Sequence, residues 1–166
     1  MPTLIALAGL PGTGKTSIAQ ALTRRMGAVL LRIDAIDAAI WQVDPAREGQ
    51  GESYLIAGAI AVSNLGLGLS VISDCVNPWP VTRDVFLTAA AQAGARHLGV
   101  ELICSDPVEH RRRVQSRISD LPGFRVPSWP EVLARDYLPW CDADLQIDTA
   151  RTSISDAVTR IAQALG

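Results

Sequence analysis

Gly9-Leu10-Pro11-Gly12-Thr13-Gly14-Lys15-Thr16 is the stretch on which the rest of the reading turns. It matches G-x-x-x-x-G-K-[ST] at every position. The apolar run Thr3–Ala8 precedes it. Behind it Ile18, Ala19, Leu22 and Met26 recur at helical spacing as far as Gly27. Strand, glycine loop and amphipathic helix, in that order, are the context the pattern requires. Glycines let the backbone curl so that successive N–H groups point inward, and the helix N-terminus adds its dipole. A cradle of this kind holds a chain of phosphates. Lys15 would reach the β- and γ-phosphates as a point charge, and Thr16 would place its hydroxyl on Mg²⁺. Composition alone would produce roughly 0.0007 such matches in a chain of this length. The alternative is a glycine-rich turn without a ligand.

Charge usage sharpens the point. The chain has 166 residues, 48% hydrophobic and 19% charged, with 15 basic and 17 acidic residues. Fourteen of the basic residues are arginines and one, Lys15, is lysine, so the single lysine stands where the motif demands one. The length predicts one domain over residues 1–166. A net charge of −2 argues against a broad nucleic-acid or anionic-membrane surface. Cys75, Cys104 and Cys141 form no metal-ligand spacing with His97 or His110, and read as buried, reduced thiols of a cytoplasmic protein. Ser53–Ser73 carries no formal charge over 21 residues, long enough to span a bilayer. Its glycines, Asn64 and the abutting Asp74 instead predict a buried helix over about 53–65, a turn, and a strand over about 70–76.

Strand and helix alternate along the remainder. Strands are predicted at Val29–Ile33, Leu98–Cys104 and Leu145–Ile147. Helices are predicted at Ala35–Trp41, Val81–Ala93, from Pro107 to about Ser119, around Glu131–Asp136 and at Ser153–Leu165. Asp44–Gln50 is a polar break, and Leu121–Pro130 is the one long irregular stretch. Asp106-Pro107-Val108-Glu109 is a well-formed helix start, with an acidic N-cap and proline at the first helical position. This alternation implies an α/β fold, a parallel sheet with helices on both faces. Ligands in such folds bind beyond the carboxyl ends of the strands.

Two classes of phosphate-loop protein are excluded. Guanine readers need an N-K-x-D element, which a chain with one lysine cannot supply. Large remodelling ATPases end their third strand in Asp-Glu, whereas this one reads Asp74-Cys75. On the phosphate loop, Asp34, Asp74, Arg113-x-x-x-Arg117 and Ile147-Asp148-Thr149, the sequence resembles the small P-loop kinases. The nearest likeness is to the chloramphenicol phosphotransferase, zeta-toxin-like and gluconate–shikimate kinase group, and it extends over nearly the whole chain. The resemblance implies a five-stranded sheet in the order 2-3-1-4-5 and a short lid over about 117–130. It also implies ATP and Mg²⁺, with γ-phosphoryl transfer to a hydroxyl of a small-molecule acceptor, and no nucleic acid or membrane partner.

Site candidates follow. Gly9, Leu10, Pro11, Gly12, Thr13, Gly14, Lys15, Thr16 and Ser17 would hold the nucleotide. Arg113 would join them, together with Thr149 in the loop that the family packs against adenine. Asp34 would orient and deprotonate the acceptor hydroxyl, as that position does in the family, unless it merely caps the helix behind it. Asp37, Asn77 and Arg83 would touch the acceptor, although Arg83 equally suits an exposed helix face. Trp41 and Trp79 fall near the same cleft. Asp74 would hold the metal opposite Thr16, unless it only forms a turn. Arg113 and Arg117, four apart and so on one helix face, would stabilise the transferring phosphoryl from the lid, unless they belong to a solvated face. Arg125 is a weaker lid candidate. A nucleotide or nucleic-acid-end kinase, or a nucleotide-binding module without catalysis, are the competing readings. The acceptor's identity and the oligomeric state are not written in the sequence.

Overall fold

A computed structural model describes residues 1–49 and 51–166, so the last residue of the expected break, Gln50, lies outside the described residues. Among these, five strands form one sheet: β1 Thr3–Ala8, β2 Val29–Arg32, β3 Val71–Asp74, β4 Arg96–Ile103 and β5 Leu145–Asp148. All pairings are parallel and the order is β2-β3-β1-β4-β5, as expected.

The central strand shows why. Every residue of β1 is buried. Leu4, Ala6 and Ala8 point to one face and Ile5 and Leu7 to the other, the period of two that a strand imposes. The first face packs on α3 (Glu52–Gly66) and α4 (Pro80–Gln92) through Ala57, Ala61, Leu65, Phe86 and Ala89. The second packs on α1 (Lys15–Met26) and α7 (Ile154–Ala164) through Ile18, Leu22, Ala157 and Ile161. A strand covered on both sides must be apolar throughout.

The uncharged stretch resolves into α3 and β3, and no helix among the described residues is long and apolar enough to cross a membrane. Several boundaries move. Helix α2 takes in Ile33–Val43, so Ile33 starts the helix rather than ending β2. Helix α5 covers Pro107–Ser116 and stops short of Ser119. Asp106 caps it as read, accepting from the N–H groups of Val108 and Glu109 at 2.9 and 3.2 Å. Helix α6 begins earlier than expected, at Trp129–Leu133. The cause is a capping box: Glu131 accepts from the Ser128 N–H at 2.7 Å.

Candidate functional site

The exits of β1, β2 and β3 converge on one place. After β1 the chain turns through Gly9, Gly12 and Gly14, at φ of 139°, 87° and 93°. At Gly9 glycine is obligatory, because a Cβ there would lie 2.2 Å from the Leu102 carbonyl oxygen. Gly12 is held as closely, with Val114 and His110 on its other side. The loop is braced by the Gly9 N–H donating to Val76 and by the Thr13 hydroxyl donating 2.9 Å to the Leu10 carbonyl. Lys15 is buried, and its ammonium donates to the same Leu10 carbonyl at 2.9 Å. Burial pulls its pKa down, while Asp74 and Asp34 pull the other way. A phosphate chain would give this ammonium the anionic partner it lacks.

Asp74 ends β3 and is buried, which raises its pKa against the opposing pull of Lys15 and of the neighbouring Thr16 hydroxyl. A hydroxyl and a carboxylate side by side are the hard oxygen donors that Mg²⁺ takes while keeping most of its waters. The residues therefore fit the expected metal. Lys15, Thr16, Asp34, Asp74 and Arg117 line a cavity of about 50 Å³, together with Phe124, Pro127 and Arg135.

Asp34 does not cap its helix. It is the second residue of α2, where Arg32 holds the N-cap position without a side-chain cap bond. Its carboxylate instead accepts from Arg117 at 3.0 Å, across 83 residues of chain. Asp37 is half-buried one turn on, and burial raises its pKa against a bond from Ser53.

The arginines are not arranged as expected. Arg117 lies beyond the end of α5 in extended backbone (φ −69°, ψ 126°), so it shares no helix face with Arg113. Its attachment to Asp34 draws the chain out of the helix. The two nevertheless line one cleft over Gly12, Gly14, Lys15, Thr16 and Ser17. Arg113 is tied to Glu109 at 2.7 Å and to the hydroxyl and carbonyl of Thr149, each at 3.0 Å. The Thr149 hydroxyl in turn lies 2.8 Å from the Thr13 carbonyl. Beside them lies a cavity of about 560 Å³, lined by Gly14, Ser17, Arg113, Thr149, Ala150 and Ile154. Arg125 is exposed and turned away onto Glu131.

Two expected acceptor contacts do not face the cleft. Asn77 is wholly buried, and its amide donates to the Leu7 carbonyl at 3.0 Å. Its φ of 49° sets up the turn into α4. Arg83 is buried too. Its guanidinium donates to the carbonyls of Asn77, Pro78 and Leu138 and lies over the rings of Trp140 and Tyr137. Its Nε and one terminal nitrogen are committed to backbone, and the residue is buried, so it ties α4 to the 137–140 segment. Trp41 stacks on Phe124 with centroids 5.9 Å apart, and the Trp79 indole donates to Asp136. The thiols also differ from expectation: Cys75 is buried, but Cys104 is half-buried and Cys141 exposed, all three free.

Three polar residues, Arg32 half-buried and His110 and Glu101 buried, have no counterpart in the sequence reading. Arg32, at the end of β2, spans Asp74 (3.7 Å) and Asp120 (2.6 Å). His110 on α5 meets the Pro11 carbonyl of the phosphate loop at 2.8 Å, with Trp129 edge-on to its ring. That bond places the proton on Nε2. Glu101 on β4 accepts from the Tyr137 hydroxyl, the Trp140 N–H and the Gln146 amide. All act across dozens of residues, where local pattern carries no signal.

An AAA domain family matches residues 4–126. No relative is found among curated protein sequences. Solved structures share the fold. One is a protein from Chloroflexus aurantiacus described as a candidate kinase, at 24% identity and TM-score 0.76, covering 99% of this chain and 96% of that one. Another is Mycobacterium tuberculosis APS kinase CysC with AMPPNP and APS, at 18% identity and TM-score 0.73, covering 99% and 97%. A third is a sugar kinase from Janibacter, at 17% identity and TM-score 0.68, covering 99% and 95%.

Proposed function

The chain belongs to this AAA domain family and has the fold of the small P-loop kinases, and from that premise we propose that it transfers the γ-phosphoryl group of ATP to a hydroxyl of a small molecule. The observation that carries the reading is the single cavity in which Lys15, Thr16, Asp74, Asp34 and Arg117 meet. Phosphoryl transfer asks for little covalent help from the protein and much positioning, and each of these side chains has a share in it.

The loop N–H groups and Lys15 hold the triphosphate. Thr16 and Asp74 would hold Mg²⁺, which would supply neutralisation of phosphate charge. Arg117 exchanges Asp34 for the γ-phosphoryl group, which frees Asp34 to align the acceptor hydroxyl and take its proton. As that oxygen bonds to the γ-phosphorus, the bond from phosphorus to the bridging oxygen breaks and ADP leaves. Arg113 steadies the nucleotide from its anchor on Thr149. Closure of the 117–130 segment keeps water from competing as acceptor. One kinase domain over 1–166, working in the cytoplasm, completes the reading. The exposed free thiol of Cys141 accords with a reducing compartment.

The test is ADP release from ATP and Mg²⁺ across a panel of sugars, amino alcohols and hydroxylated antibiotics, with Lys15→Ala as the blank. ADP should form only when an alcohol acceptor is present. Equal ATP consumption with and without every acceptor would refute the reading.

A further inference from the structure

Arg32 stands between two carboxylates that belong to different parts of the machine. Its terminal nitrogens grip Asp120, in the segment after α5, at 2.6 and 2.9 Å. Its Nε is buried without a hydrogen-bond partner and faces Asp74 at 3.7 Å. That distance is an ion pair but not a hydrogen bond. The Arg32 guanidinium is largely buried, whereas Asp120 is mostly exposed. The closer grip is therefore the one on the outside, where water competes with it once the segment moves.

The same segment is attached to α2 at three further points, the first being the bond from Arg117 to Asp34. Trp41 stacks on Phe124, and the Gln42 amide donates to the Pro122 carbonyl at 3.2 Å. If the segment lifts, Asp120 leaves with it, and Arg32 is left nearly buried with one carboxylate within reach. A buried guanidinium that loses its partner must find another, because leaving the charge unpaired there is costly. From 3.7 Å, a shift of about one ångström would bring Nε into bonding distance of Asp74.

We propose that Arg32 is a positioning residue that couples the segment to the metal carboxylate. With the segment down, Asp120 holds Arg32 off Asp74 and leaves that carboxylate to the metal. With the segment up, Arg32 bonds Asp74 and withdraws it. The inference rests on the kinase reading for the role of Asp74 and on geometry alone for the latch.

The test uses the full chain and the variants Asp120→Ala, Arg32→Gln and the two combined. Trypsin cleavage after Arg117 and Arg125 without nucleotide reports whether the segment is down, and should quicken about three- to tenfold in Asp120→Ala. Calorimetric titration of a non-hydrolysable ATP analogue reports the Mg²⁺ needed for half-maximal binding. In Asp120→Ala that requirement should rise about three- to tenfold, and Arg32→Gln in the same background should bring it back. A merely structural latch would leave the double variant as impaired as Asp120→Ala, and that result overturns the coupling. Unchanged trypsin cleavage overturns the latch itself. A wild-type protein that binds no nucleotide at all overturns the kinase reading and the metal half of the proposal with it, while the trypsin arm still decides the latch.

Discussion

At the residue scale, Lys15 and Asp34 make opposite demands on an experiment. Lys15→Ala removes the buried ammonium from the cradle, so turnover should fall to the blank in an ADP-release assay. Asp34→Asn keeps the shape and loses the carboxylate that the proposed mechanism uses as base. Acceptor phosphorylation should drop about 10²–10⁴-fold with nucleotide affinity unchanged in a titration. A loss of ATP binding instead would assign Asp34 to the nucleotide. Both residues were legible in the sequence because each stands in a local pattern, a glycine loop or a strand exit. Arg32, His110 and Glu101 were not, since each is defined by a partner far along the chain. Arg83 was misplaced for the same reason: nothing local tells that its donors meet three backbone carbonyls.

At the scale of elements, helix starts were easier to read than helix ends. Asp106 caps α5 where the sequence placed it, and Asp106→Ala should cost about 0.5–2 kcal/mol in a denaturant melt. The end of α5 was overrun by three residues because Arg117 leaves the helix for a tertiary contact, which no helical periodicity reports. Glu101 ties β4 to the segment after α6, and its pKa shows how. Burial alone would raise it, but the Trp140 N–H, Gln146 and Tyr137 hold it below the usual glutamate value. A carboxylate depressed on folding contributes stability above its unfolded pKa, and loses it as pH falls through the folded one. Unfolding followed by fluorescence should therefore show Glu101→Gln destabilised by about 1–3 kcal/mol at neutral pH, with the gap closing below about pH 4.

For the whole molecule, the strand order followed from the resemblance and the two-faced core from the unbroken apolar run of β1. Phe86 fills the centre of one face with no exposed surface. Phe86→Ala should cost about 3–5 kcal/mol in a thermal or denaturant unfolding curve without altering the cradle on the opposite face. Near-native stability in that variant would mean that the α4 side of the sheet is not packed as described.

The middle of the sheet is made before its neighbours. Residues 3–8 pair with 71–73 and 96–101, which come later in the chain. Until those are synthesised, the five apolar residues Leu4–Ala8 wait without a neighbour on either edge, which is the condition under which nascent polypeptides stick to one another. The centre of the sheet cannot close before residue 101 has been translated, and the residues that begin the phosphate cradle wait with it for their shape.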